Sequence, residues 1–320
     1  YQADRERELY SIKIQTAQLY FSLLKNQFRL VVNKQNVDRY DTIFTVIKAL
    51  TLSGIKPGSD SSLAKAELSK SRIIYNQTMG QIMQIREQMS FLTGIPSENL
   101  QIDTATKGYI DIQSGIRNQR AVTGSNPYLD YYVSQKNSFL SLEKLISKSY
   151  LPRFVLTADT WARGSSITND DQYEMLSRGL GYQRYNYLAG ISFQYDLFNG
   201  IHKRDRLRTY QYETMASDLA LQQERLALHS ASLQATSALQ TAETNLSELP
   251  VQMTAAQNVY NEELAQYKAG IVNLVDLTNA AFVLDRSQND FIETLADWYL
   301  AELDKAWSGG TIDPFINSIK

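Results

Sequence analysis

Two aspartates follow Gly-Ile pairs along this chain, Asp60 after Gly54-Ile55 and Asp276 after Gly270-Ile271. A carboxylate just beyond a chain reversal can do either of two things. It can cap the next helix by accepting a backbone N–H, or it can hold negative charge at an exposed end and attract cations. The other reactive residues form no recognisable site. His202 and His229 lie far apart and lack partners at ligand spacing, so no metal is expected. Cysteine is absent, which removes disulfides, thiolate catalysis and Cys-based metal sites together. Neither tip glycine is followed by the Lys-Ser/Thr of a phosphate loop, and no nucleophile–base pattern occurs. Catalysis and a cofactor are therefore not expected. His202, Lys203, Arg204, Arg206 and Arg208 form a basic run, but the net charge of −2 argues against nucleic acid.

The elements that hold the two aspartates are duplicated. Gly54, Ile55, Asp60, Ala64, Leu68, Ser71 and Gly94 recur as Gly270, Ile271, Asp276, Ala280, Leu284, Ser287 and Gly310 at one constant offset. A gapless self-match of this kind marks a repeated supersecondary unit. Each copy reads as a long helix that ends at Gly-Ile, reverses, and resumes as a second helix stopped by a glycine. The first helix covers residues 1–52, and the next runs from an Asp60 cap to about Leu92. Residues 98–125 read as irregular, with room for a short strand. Asn126-Pro127 opens a further helix to about Tyr150 by an Asn cap and an N1 proline. A helical pattern from the basic run to Lys268 makes a rod of roughly 100 Å at ~1.5 Å per residue. Pro250 should kink it or mark a break. The last helix is expected over 277–307.

Between the two copies the period changes from 3.6 to 2. Tyr185, Tyr187, Ala189, Ile191, Phe193, Tyr195 and Leu197 share one face of a strand predicted over 185–198. A first strand, over about 153–163, puts Phe154, Leu156, Ala158 and Ala162 on one face. Some 20 polar, glycine-containing residues separate the strands, as a count of 164–184 shows. Such alternation also suits a soluble hairpin lying on a core. The strand lengths, though, are near the roughly 9–11 residues that cross a bilayer at a tilt, and the tyrosines resemble an aromatic girdle. No window reaches the roughly 20 apolar residues of a transmembrane helix.

In order, Tyr150-Leu151-Pro152-Arg153-Phe154, Tyr195-Asp196-Leu197-Phe198-Asn199-Gly200, the two Gly-Ile-x4-Asp-x3-Ala tips and the glycines Gly94 and Gly310 resemble the bacterial outer-membrane efflux protein family, the TolC-like channel–tunnels. The resemblance implies a mainly α fold with a membrane β-strand pair. Long helical hairpins in two repeats would form an α-barrel tunnel and part of an outer-membrane β-barrel, trimeric when complete. By that analogy residues 1–125 are the first repeat, which lacks an upstream helix and strand pair, and 126–320 are the second. The resemblance makes Gly54, Ile55, Asp60, Gly270, Ile271 and Asp276 adaptor-contacting tips. It places Tyr267, Asp276 and Asn279 at the aperture, with Asn279 where relatives carry a second carboxylate. Val272 stands where relatives carry a gate-bridging arginine. Tyr187, Ala189, Ile191 and Phe193 would face outer-membrane lipid.

The function so implied is a passive outer-membrane exit duct, reaching into the periplasm of a Gram-negative bacterium. Its partners would be two further copies of itself, a periplasmic adaptor protein and an inner-membrane transporter. One rival function is protein export by a type I system. A rival of another class is a soluble helical scaffold, against which the tyrosine-rich strand and the duplicated tips both argue.

Overall fold

A computed structural model describes residues 1–100, 102 and 125–319, so most of the stretch expected to be irregular at 98–125 lies outside the described residues. The chain divides into two units, Tyr1–Tyr131 with Leu221–Lys320, and Tyr132–Ala220.

In the first unit, α1 spans Gln2–Leu52 without a glycine or proline to interrupt it. It buries Tyr10, Ile14, Ala17, Phe21 and Leu24, and further along Asn33, Asn36, Tyr40, Ile43 and Ile47. Those steps of three and four keep one stripe facing its neighbours. Helix α2 covers Gly58–Thr93 and stops at Gly94, whose φ of 70° is open to glycine at little cost. Pro57 holds the N-cap position, so Asp60 lies in the first turn instead of capping the helix. The extended φ,ψ of Pro57 ends the reversal three residues earlier than an Asp60 cap would have done.

Helix α3, Pro127–Ser149, has its first turn in this unit and the rest in the second, and is opened as expected by the Asn126 side chain accepting from the Tyr128 N–H at 3.0 Å. After the strands, α5 runs over Lys203–Lys268, α6 over Leu274–Ser308 and α7 over Ile312–Ile319. A buried stripe on α5 recurs every seventh residue at Leu221, Leu228, Ala235, Ala242, Leu249 and Ala256, the spacing of a coiled-coil seam. No break accompanies Pro250, since the helix is continuous through it. Burial of Leu249 and packing of Leu246 on the core hold the segment against the lost backbone hydrogen bond. Helix α7 lies beyond the expected helices, although Ile312, Phe315, Ile316 and Ile319 fall at helical spacing, and Ile312 and Phe315 are buried against α1 and α6.

Two large apolar clusters hold these helices together, with a smaller one of Leu23, Ile82 and Met89 between α1 and α2. In one, Phe21 stacks on Tyr299 at 5.0 Å between ring centroids, beside the fully buried Trp298 and Leu303. Truncating an aromatic residue in such a site costs ~3–5 kcal/mol. The other joins Ile43 and Ile47, Ala64 and Leu68, Tyr260 and Tyr267, and Leu277 and Leu284.

The second unit contains β1, Arg153–Arg163, and β2, Arg184–Gln194, paired antiparallel with Ala158 opposite Ala189. The short α4, Leu176–Gly179, lies in the loop between them. Strand β2 ends four residues earlier than expected, leaving Tyr195 and Leu197 outside it. The Asp196 side chain there accepts from the Phe198 N–H at 3.1 Å and turns the chain out of the strand. Helix α3 has no fully buried residue, and nearly all of both strands is exposed.

Candidate functional site

The two tips share one hydrogen-bonding design. At the first, the Ile55 N–H donates to the Leu50 carbonyl at 3.0 Å and the Gly54 N–H to the Thr51 carbonyl at 3.0 Å. At the second, the Ile271 N–H reaches the Gln266 carbonyl at 2.9 Å and the Gly270 N–H the Tyr267 carbonyl at 3.0 Å. Both are Schellman turns, which need a left-handed residue after the last helical turn. Gly54 and Gly270 supply it at φ of 72° and 76°. Ile55 and Ile271 then project into solvent with 67% and 74% of their surface exposed, a matched pair of apolar knobs.

The likeness extends along the second helix of each hairpin. Ala64 and Ala280, Leu68 and Leu284, and Ser71 and Ser287 are all buried. Each serine hydroxyl donates to the leucine carbonyl three residues back, at 2.8 Å in the first copy and 2.9 Å in the second.

At the second tip, as at the first, the aspartate is not the helix cap. The Asn273 side chain accepts from the Asp276 N–H at 3.0 Å and is the N-cap of α6. Asp276 therefore does not cap the helix, and its carboxylate sits exposed in the first turn, beside the positive end of the helix dipole. Asn279, one turn on, is also exposed.

Tyr267 occupies a different environment. It is 1% exposed and packed among Leu274, Leu277 and Ala281. Lys56 of the first tip lies over its ring, 5.1 Å from the centroid, a cation–π contact that joins the two tips. Burial, and then the Asp60 carboxylate, pushes the Tyr267 hydroxyl above the usual phenol range. That hydroxyl is buried without a hydrogen-bond partner among the described residues. Val272 packs on the same cluster. Of the expected aperture residues, then, Asp276 and Asn279 are on the surface and Tyr267 is in the packing between the tips. Sequence reasoning missed Lys56; its place within a reversal facing an aromatic residue gave no periodic signal.

Higher up the same hairpins, a polar network crosses the core. Asn36 donates to the Asp285 carboxylate, and Arg39 donates to Asn36 and lies over the Tyr260 ring at 5.1 Å. Asn289 donates to Asp285 at 3.0 Å, and Asn33 donates to Thr78 at 2.8 Å. Burial pushes the Asp285 carboxyl above its ordinary range, against the opposing pull of Asn36, Arg39, Asn289 and Arg29.

In the second unit, the register puts Phe154, Leu156, Ala158, Thr160 and Ala162 opposite Phe193, Ile191, Ala189, Tyr187 and Tyr185. Paired residues share a face, and the Phe154 and Phe193 rings meet at 5.1 Å. This face bears no charge. Arg153, Asp159, Arg163 and Arg184 all fall on the other, with Ser192 and Gln194. At the start of α5 the basic run is exposed apart from the half-buried Lys203, which lies 5.4 Å over the Tyr150 ring. Among the described residues no acidic, histidine and cysteine side chains gather as a metal site would require.

A family model described as outer membrane efflux protein matches residues 137–304. The chain belongs to the outer membrane efflux protein family. Solved structures agree at the level of fold. VceC, an outer membrane protein of Vibrio cholerae, is 11% identical with a TM-score of 0.76, over 97% of this chain and 72% of that one. The Campylobacter jejuni CmeC outer membrane channel is 14% identical with a TM-score of 0.77, over 99% and 68%. The open state of the Neisseria gonorrhoeae MtrE outer membrane channel is 13% identical with a TM-score of 0.74, over 97% and 68%. No curated protein matches the chain. This efflux-family chain therefore shares the mainly helical fold of those outer membrane proteins, with a strand pair among the described residues. Among the described residues no helix is long and apolar enough to cross a membrane.

Proposed function

We propose that this efflux-family chain is a subunit of a trimeric outer-membrane exit duct in a Gram-negative bacterium. The duct passively conducts small molecules from the periplasm, coupled through a periplasmic adaptor protein to an energised inner-membrane transporter. The observation that carries the membrane part is the segregation of charge across the strand pair, with every ionisable group except tyrosine on one face. An uncharged face of Tyr187, Ala189, Ile191 and Phe193 suits lipid, and the face with Ser192 and Gln194 suits a watery lumen. Two strands leave open edges whose backbone groups cost several kcal/mol each in lipid, so neighbouring copies must close the barrel.

The tips are the adaptor-facing ends in this reading, which the exposed Ile55 and Ile271 and the surface carboxylate of Asp276 support. Asp276 and Asn279 line the aperture, and Tyr267 acts from beneath by packing against Lys56. Residues 1–125 and 126–320 are the two repeats. The duct performs no catalysis.

The deciding experiment supplies the full-length protein, with its cognate adaptor and pump, to a strain lacking its own outer-membrane efflux component. Restored resistance to small toxic compounds supports the reading. Unchanged susceptibility together with appearance of a protein cargo in the medium would assign the duct to type I export instead.

A further inference from the structure

The loop between the strands, residues 164–183, is built inside out. Its interior consists of hydrogen bonds and glycine contacts. The Glu174 N–H donates to the Ser166 carbonyl at 2.7 Å and the Thr168 N–H to the Gln172 carbonyl at 2.9 Å. The Gln183 side chain donates to the carbonyls of Ser165 at 3.2 Å and Arg178 at 2.9 Å. Gly164 lies so close to the carbonyls of Gly179 and Gly181 that a Cβ could not be accommodated, and Gly179 lies against the Ser166 hydroxyl. The large apolar side chains are outside. Met175 is 80% exposed, Leu176 70%, Leu180 83% and Tyr182 70%.

Charge is arranged to match. Between Gln172 and Gln183 the ionisable groups other than tyrosine are Glu174 and Arg178, and these pair with each other. Asp170 and Asp171, which make no ion pair among the described residues, sit at the turn between the bridged residues Ile167 and Tyr173. The loop thus has an acidic turn and an apolar, electrically neutral lobe. Hydrogen bonds closed within the loop and large apolar side chains turned outward suit the interfacial zone of a bilayer, where water still reaches the remaining backbone groups. A loop folded for water alone would reverse the arrangement.

We propose that the lobe bearing Met175, Leu176, Leu180 and Tyr182 seats in the lipid surface around the barrel, as a collar continuing the strand pair's uncharged face. Continuity with that face favours lipid over a protein partner. The Tyr182 ring lies 6.5 Å from that of Tyr185, which begins the uncharged face on β2. Tyrosine and apolar residues together suit the interfacial zone of a bilayer. The inference rests on the barrel reading, and the test separates the two.

Residues 1–320 hold no cysteine, so one cysteine introduced among them is a single labelling site there, and any cysteine of the full-length channel outside them is first replaced by serine. Leu180→Cys, Ile191→Cys and Asp170→Cys are made in the full-length channel and reconstituted in dioleoylphosphatidylcholine vesicles. Collision rates with oxygen, which partitions into lipid, and with a water-soluble nickel chelate are then compared. The expected oxygen-to-nickel ratio at Leu180→Cys matches that at Ile191→Cys and exceeds that at Asp170→Cys several-fold. A lipid-like ratio at Ile191→Cys with an aqueous one at Leu180→Cys overturns the collar and leaves the barrel standing. Aqueous ratios at both overturn the barrel reading and the collar with it. A label at Leu180→Cys that is immobilised and shielded from both reagents shows a protein contact, a neighbouring copy or another chain, and also overturns the proposal.

Discussion

Ile191 and Ser192 are adjacent in β2 and face opposite ways, so an arginine placed at each tests the lipid assignment at nearly constant depth. Ile191 stands two residues from Ala189, the middle of Arg184–Gln194. At roughly 3.3 Å per residue and a tilt of about 45°, that is about 5 Å from mid-depth. Arginine on a lipid face costs ~2–4 kcal/mol at the midplane and ~0–1 near the interface, so ~1.5–3 is expected here. Losing the cross-strand pair with Leu156 adds ~0.2–1 kcal/mol. Ile191→Arg should therefore cost about 2–4 kcal/mol per chain, roughly 6–12 for a closed trimer whose strands assemble together. Ser192→Arg removes no apolar contact of that kind and points toward the lumen, so assembly should survive while conductance falls. The assay is the urea or heat dependence of the trimer-to-monomer shift on gels after reconstitution in vesicles. Equal stability of the two variants would refute the facing of β2.

Gly54→Ala and Gly270→Ala should each cost ~1–2 kcal/mol, the penalty for a side chain in the left-handed region, because a Cβ at either position meets nothing within 4 Å. Denaturant unfolding measures this, and a loss more than twice as large would mean the tips are packed in a way this geometry does not contain. Asp276→Asn should lower cation preference in planar-bilayer recordings and leave trimer stability unchanged, since Asn273 and not the carboxylate caps α6. Unaltered selectivity would remove Asp276 from the aperture. Asp285, whose carboxyl is raised above its ordinary 3.8 by burial, should make stability fall as pH rises from that value through its folded pKa. In that interval the folded state binds more protons than the unfolded one. Asp285→Asn should abolish this slope in thermal unfolding followed against pH, and a slope identical to wild type would exclude the site as its source.

Local and periodic features of the fold were legible in the sequence. The helix ends at Ser53-Gly54-Ile55 and Gly270-Ile271 follow from residues that permit a reversal. The uncharged strand face follows from a period of 2 that a one-residue slip would invert. What escaped was partly a local choice between neighbouring residues and partly dependent on partners distant in the chain. Asp60 and Asp276 looked like caps because cap preference is a composition rule, whereas the N-cap sites belong to Pro57 and Asn273. Asn33 and Asn36 occupy buried positions in phase with Tyr40, Ile43 and Ile47. Extending that stripe backward marks them as core positions, but their partners Thr78 and Asp285 lie on other helices. Short α7 is held by Ile312 and Phe315 against Phe21, across nearly the whole length of the chain.

The open edges of β1 and β2 set an order of events for biogenesis. A two-stranded hairpin is marginally stable in water at best, and here neither of its faces is covered. In lipid it is worse off until other strands satisfy its edges. The helical hairpins carry their own buried clusters and face no such dependence. Maturation of the proposed barrel would then run from helix packing in water to strand closure in the membrane, with the hairpin entering lipid only as the copies meet. A chain arrested before that meeting would display its tyrosine-rich strands to the periplasm, where chaperones and proteases that read extended apolar segments would find them first.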